Sequence, residues 1–343
     1  MKKIKPIIHV GQEYQIKYFT PIAKHIGATV ASRFKGHENS IVLDGKRGFM
    51  KFLSENEHSF CMSGSGSNKS PIYSIPCVAA SCTKKKKLIW IWHSYLLEKS
   101  KHKVASPKFH GQYSVLPEYF YSVLGLEKSE KHFEYKGHFK SAFHHESPPS
   151  VGQQEKILYL PDVSSSIERI KHEISKFDLP VLIRPHPGEY TSDPIGRANG
   201  FTLGMIDEYK KHFGSENISE KDANVIDDID QCSHVISNYG SSILVEALIR
   251  AKLYDTERTV CMTECKTILA RKAGINVSKD PTMKLFASAN EEMIRQCTLD
   301  LDELVHNFLD SIKMAVSSEK LSKEERKIIT ETFYNKNLEL LEC

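Results

Sequence analysis

The chain has 343 residues, 40% of them hydrophobic and 26% charged, and a formal net charge of +4 from 47 Lys and Arg against 43 Asp and Glu. This is comfortable for two cores of roughly 150 residues each. It excludes a bilayer-spanning helix, since no run approaches ~20 apolar residues, and its mild, mixed charge carries no nucleic-acid footprint.

Eight cysteines, at 61, 77, 82, 232, 261, 265, 297 and 343, form no CxxC pair, and the 16 histidines show no zinc-type spacing. Reduced thiols and no bound metal are therefore expected. The opening Met-Lys-Lys-Ile-Lys-Pro lacks a signal-peptide apolar region, so a cytoplasmic protein is expected.

Pro6 to Val10 is a short apolar run followed by Gly11 and a helical pattern through Tyr18, Ile22 and Ile26. Strand, glycine turn and helix start open an α/β unit. Further strands are predicted at Ser40–Leu43, His58–Met62, Leu88–Trp92, Gln112–Leu116 and His132–Tyr135, with helix-length segments between some of them, which favours a parallel sheet. Met62-Ser-Gly-Ser-Gly-Ser-Asn68 has glycines that let a backbone approach a phosphate, but its spacing is neither that of a P-loop nor GxGxxG. It reads as an acceptor-side loop or a plain linker. Lys84 to Lys87 solvate a loop before a strand or touch anionic lipid or polymer.

Leu88-Ile-Trp-Ile-Trp-His-Ser94 puts His93 at the end of a buried strand, with Lys99, Lys101, His102 and Lys103 following. An imidazole at a strand end beside a basic turn suits general-base chemistry on an anionic ligand, with Lys99 and Lys103 toward the acceptor. A satisfied core histidine is the plainer alternative. The polar, proline-bearing stretch His144 to Gln154 marks a domain boundary near the midpoint. The expected domains are 1–148, 149–315 and a helical tail at 316–343.

After the boundary the α/β pattern restarts, with a strand at Lys156–Leu160, a helix at Ser165–Phe177, a strand at Val181–Ile183, a short strand near Asn224–Ile226 and a strand at His234–Ser237. Val181 to Ile183 deliver Arg184 and His186 into a turn stiffened by Pro185 and Pro187, a cation and an imidazole where open α/β sheets place ligands. After Val235 and Ile236 come Ser237, Asn238 and Gly240, the last permitting a tight turn. Ser241 or Ser242 then caps a helix with apolar positions 243, 244, 247, 248 and 251. Serine hydroxyls and free amides at a helix start suit phosphate, although ordinary capping alone explains the serines. Glu246 lies off the apolar stripe, free to face solvent or a ligand ribose. Leu299 to Val316 is amphipathic, and Ser322-Lys-Glu-Glu325 is a capping box before a last helix.

Together these stretches resemble the GT-B glycosyltransferases, and within them the CDP-glycerol glycerophosphotransferases of teichoic acid and capsule assembly. Trp92-His93-Ser94 is similar to that family's Trp-His-Gly, and Tyr135-Lys-Gly-His138 to the strand and glycine that close its first domain. Arg184-Pro-His-Pro187 matches its RPHP signature, and Asp227 to Glu246 its Asp, strand, Ser-Asp-Tyr-Ser-Ser, Glu pattern. Ser94 stands where the family has glycine, Asn238 where it has aspartate and Gly240 where it has the first serine of the pair. The turn is also similar in style to those of capsule enzymes that use CMP-linked 3-deoxy-manno-octulosonate or sialic acid.

The resemblance implies an α/β GT-B fold, two Rossmann-like domains facing a central cleft with a helical C-terminus. It implies transfer of a glycosyl or polyol-phosphate group from a cytidine nucleotide donor to a hydroxyl of a polysaccharide or lipid-linked acceptor, at the inner face of a membrane, without metal or cofactor. His93 would be the base, and Arg184 and His186 would neutralise donor phosphates. Ser237, Asn238, Gly240, Ser241 and Ser242 would line the nucleotide site, and Glu246 would accept from the ribose. Alternatives are an isomerase of the UDP-GlcNAc 2-epimerase kind, which would need a carboxylate pair facing the sugar, and an inactive GT-B module that binds polysaccharide.

Overall fold

The computed structural model describes residues 7–10, 13, 15–32, 34, 35, 40–42, 48, 51, 60–63, 87–91, 95, 113–122, 128, 132–161, 165–190, 205–237, 241–262, 267–270 and 291–318. The chain divides into two units, Met1–Glu146 with Arg295–Cys343, and Ser147–Ile294.

The first unit opens with β1 (Ile7–His9), α1 (Gln15–Ile26), β2 (Thr29–Ser32) and β3 (Ser40–Val42). There follow β4 (Phe60–Ser63), β5 (Lys87–Ile91), β6 (Tyr113–Pro117), α2 (Tyr119–Ser122), β7 (His132–Tyr135) and α3 (Ser141–His145). Its seven strands are all parallel in the order β3-β2-β1-β4-β5-β6-β7. A parallel sheet has both faces covered, which is why its strands read as continuous apolar runs: Ile7 and Ile8 are both fully buried. α1 stops at Gly27, whose φ of +70° lets the Ala28 amide donate to the Ala23 carbonyl at 2.8 Å. This is the bond from beyond the helix end that satisfies an otherwise orphaned carbonyl.

The second unit holds β8 (Gln154–Leu160), α4 (Ile167–Ile174), β9 (Val181–Ile183), α5 (Met205–Phe213) and α6 (Val225–Asp230). It continues through β10 (Cys232–Ser237), α7 (Ser242–Leu253), β11 (Thr259–Met262) and β12 (Thr267–Ala270). The sheet order is β12-β11-β10-β8-β9, parallel except for β12 against β11. Ile157, Tyr159, Ile183 and Ile236 pack with Ile167 and Ile170 of α4 and Tyr209 of α5. Leu158, Val235 and Val260 alternate with them and are also buried, and α7 packs on β10 and β11.

Asn224 to Ile226, expected as a strand, is the start of α6. The Asn224 side chain accepts from the Ile226 amide at 3.2 Å, and Asp227 and Asp228 occupy the first turn, where carboxylates favour the helix dipole. The β-branched pair Val225-Ile226 suggests a strand, and the cap overrides it.

α8 (Leu301–Ser317) packs on the first unit, whereas the sequence places Leu301 to Ala315 in the domain 149–315. Its Leu304, Phe308, Ile312 and Ala315 join the core that α1 and β1 build. The Ser311 hydroxyl donates to the Glu134 carbonyl of β7, and Phe308 meets Tyr135 edge-on at 5.0 Å. No described helix is long and apolar enough to cross a membrane.

Two buried features make strong claims on stability. Arg250, with no exposed surface, gives Nε to Asp230 Oδ1 at 2.7 Å and a second bond to Oδ2, while Arg258 Nη2 lies 3.8 Å from Oδ1. Removing the shared carboxylate strands two buried cations, so Asp230→Asn is expected to cost about 3–5 kcal/mol in urea unfolding; an unchanged midpoint would refute this. Gly137 has a φ of +96°, and a Cβ there would sit 2.6 Å from Leu304 Cδ1 and 3.2 Å from the Gln296 carbonyl oxygen. Gly137→Ala is expected to lower stability by about 1–3 kcal/mol from backbone strain alone, read by the same unfolding curve.

Candidate functional site

The parallel register of β10, β8 and β9 brings their carboxyl ends to one edge of the second sheet. Ser237 of β10 pairs with Leu160 of β8, and Tyr159 of β8 with Ile183 of β9. The chain turns outward in opposite directions from β8, toward β9 on one side and β10 on the other. Such a reversal leaves a crevice at the carboxyl edge. The His186 turn follows β9 and the serine turn follows β10, two strand spacings apart, or ~10 Å.

Arg184 is fixed on all sides. Its amide donates to the Tyr159 carbonyl at 2.9 Å. Its Nη1 donates to Ser219 Oγ at 3.0 Å and to Asp228 Oδ2, and its Nη2 to the Ala223 carbonyl at 3.0 Å. Asp228 also accepts from Ser219 Oγ at 2.6 Å. With its side chain 11% exposed and Asp228 at 7%, the pair is screened from water. The guanidinium assigned from the sequence to donor phosphates is thus engaged inside the unit, with its charge balanced by a carboxylate.

His186 is exposed at the tip. Its amide donates to Glu189 Oε2 at 2.7 Å and its carbonyl accepts from the Glu189 amide at 2.8 Å, closing the single turn Pro187–Tyr190. The other Glu189 oxygen accepts from the Tyr209 hydroxyl at 3.1 Å, and Tyr190 donates to the Ser219 carbonyl. Burial pushes the Tyr190 phenol up to about 12, against a smaller downward pull from Arg184, so it remains a donor at neutral pH.

Ser237 is fully buried and donates to the Leu160 carbonyl at 3.0 Å, tying the ends of β10 and β8 together. Ser241 is the N-cap of α7, its hydroxyl accepting from the Ile243 amide at 3.3 Å, and Ser242 begins the helix half-buried. Glu246 is 1% exposed, so the expectation that it is free to face solvent is corrected: α7 is buried all round from Leu244 to Ala251, not along one stripe. Asn238 and Gly240, and in the first unit His93, Lys99 and Lys103, lie outside the described residues. So do most of Met62 to Asn68 and all of Lys84 to Lys86.

Among the described residues no group of three or more His, Cys, Asp or Glu side chains is placed to hold a metal ion. Glu189, Tyr209, Ser219 and Asp228 escape sequence inspection. For Glu189 a signal exists: an acidic residue three positions after His186, across a proline, is the spacing at which a side chain reaches back to an amide at a helix start. Asp228 pairs across 44 residues and leaves no local signal.

No protein-family model matches the chain, and no curated protein sequence matches it. Among solved structures it is similar to a UDP-GlcNAc 2-epimerase from Neisseria meningitidis bound to UDP-GlcNAc, at 11% identity and a TM-score of 0.48 over 97% of this chain and 100% of that one. It is similar to a UDP-N-acetylglucosamine 2-epimerase from Rickettsia bellii, at 11% identity and 0.46 over 98% of each. It is also similar to MurG from Acinetobacter baumannii, at 9% identity and 0.39 over 99% of each.

Proposed function

We propose that this chain is a transferase of the GT-B kind. It moves a glycosyl or polyol-phosphate group from a cytidine nucleotide donor to a hydroxyl of a polysaccharide or lipid-linked acceptor. The observation that carries this is the reversal of strand order about the parallel strand β8, with β9 on one side and β10 on the other, and with the start of α7, capped by Ser241, after β10. A helix start presents amides and about half a positive charge to an anion, and open α/β sheets hold ligands where the strand order reverses. The cytidine base and the acceptor class rest on the resemblance of Arg184-Pro-His-Pro187 and the serine turn.

In this scheme the second unit binds the donor. Amides of the first turn of α7 and the hydroxyl of Ser242 hold its phosphates, with the His186 imidazole a further contact. Arg184 keeps the exit from β9 in place through Asp228. His93 takes the proton from the acceptor hydroxyl as its oxygen bonds to the transferred carbon or phosphorus. The bond from that atom to the nucleotide's phosphate oxygen breaks, and the charge on the leaving nucleotide is met by the fixed dipoles of α7 and by His186.

CDP or CMP at about 100 times its Kd is expected to add about 2.7 kcal/mol to stability, seen as a rise of several degrees in Tm. A rise with UDP and none with either cytidine nucleotide would move the donor to a uridine class, and none with any nucleotide would overturn the donor site. Two substitutions at the cap separate folding from binding. Ser241→Ala should lose about 1 kcal/mol of stability, whereas Ser241→Asp keeps a capping oxygen and the stability. Its negative charge should nonetheless abolish the nucleotide-induced rise in Tm. A rise retained in Ser241→Asp would place the anion elsewhere.

A further inference from the structure

We propose that Glu189 is the positioning residue of the His186 turn, holding that histidine at the angle from which it meets the donor phosphate. The inference rests on the assignment of His186 to donor phosphate made above. Proline has no amide hydrogen, so between Pro185 and Pro187 the only backbone donor is that of His186. That donor goes to Glu189 Oε2 at 2.7 Å, and the His186 carbonyl accepts from the Glu189 amide at 2.8 Å. Both polar groups of the His186 backbone are therefore taken by one residue, which fixes its two peptide planes.

Glu189 is itself held from within. It is 6% exposed, and its second oxygen accepts from the hydroxyl of Tyr209, a fully buried residue of α5 in the core of the unit. Tyr209, Glu189 and the His186 backbone thus form a chain of hydrogen bonds from the core to the exposed tip. A second tether runs beside it, since Tyr190 donates to the carbonyl of Ser219, whose hydroxyl bonds Asp228, the partner of Arg184. The turn is fastened before and after His186, and Glu189 is the fastening that touches His186 directly.

The charge of Glu189 works against a phosphate nearby, so its benefit lies in geometry. A charged carboxylate makes short, strong bonds to an amide and a phenol. A neutral amide of the same shape can still accept from His186 while Tyr209 turns its hydroxyl to accept in return.

The test uses the full chain and two readouts: hydrogen exchange of the His186 amide by NMR, and CDP affinity by calorimetry. In Glu189→Ala the His186 amide should exchange roughly tenfold faster or more, with the amides of β8 and β10 unchanged, and the Kd for CDP should rise roughly tenfold. Glu189→Gln should restore both to within roughly threefold, which a need for the charge itself would not allow. Unchanged exchange at His186 in Glu189→Ala overturns the proposal, as does faster exchange with unchanged CDP affinity. Should Glu189→Ala fail to fold, Tyr209→Phe carries the same readouts, with faster exchange and weaker binding expected and no change in either overturning it. If CDP does not bind the unaltered protein, the donor assignment fails, and exchange at His186 still decides whether Glu189 sets the turn.

Discussion

The six residues of α6 hold the second unit together through two carboxylates. Asp228 takes Arg184 from the end of β9, and Asp230 takes Arg250 from α7 with Arg258 close by at the approach to β11. Burying an ion costs several kcal/mol, and a lone pair rarely repays it. Here each guanidinium also finds neutral acceptors or a ring: Arg184 the oxygens of Ser219 and Ala223, Arg258 the carbonyls of Cys232 and Ala247, Arg250 the face of Tyr254 at 4.8 Å. Burial lowers Arg258 to about 10, which still leaves it charged at neutral pH. Because these bonds are directional, they set where β9 ends and where α7 runs, and so the edge on which a ligand would rest.

The same bonds decide the electrostatics of that edge. Arg184 is paired with Asp228 at close range, so the two charges largely cancel beyond their own length. Among the described residues, the groups at that edge that can attract an anion include the partial charge of a helix start and the exposed imidazole of His186. Both are weak and directional compared with a free guanidinium fork. In the proposed scheme, affinity at such an edge depends on alignment more than on net charge, and the backbone bonds that tie the histidine between two prolines supply that alignment.

Sequence legibility followed the range of the forces involved. β9, β10 and the cap of α7 are written in neighbouring residues: an apolar triplet, prolines, then serine before an apolar helix, and the structure has all three. Val225-Ile226 misled because β-branched residues suit strands, while the Asn224 cap that decides for helix depends on one side-chain bond. The solvent exposure open to Glu246 in the sequence does not hold, because a period of apolar residues identifies one buried face, and α7 is buried all round from Leu244 to Ala251. Arg184 is plain as a cation in the sequence, but its partner lies 44 residues on, and only the fold brings Asp228 to it.

The division into units shows the same limit on a larger scale. A polar, proline-bearing stretch near residue 147 marks where the chain leaves the first unit, because linkers have a composition of their own. The return at Arg295 has no such mark, since it falls within the helical residues 291–297. There Cys297 is buried beside Tyr119 and Ser141, and burial pushes its thiol and the Tyr119 phenol up, so both stay protonated and uncharged. α8 then adds Leu304 and Phe308 to a core begun by Ile8 and Phe19. An amphipathic period announces that a helix has a face to bury but not which sheet will receive it. The first unit is therefore discontinuous in sequence, and its core is completed by side chains from the segment that returns at Arg295.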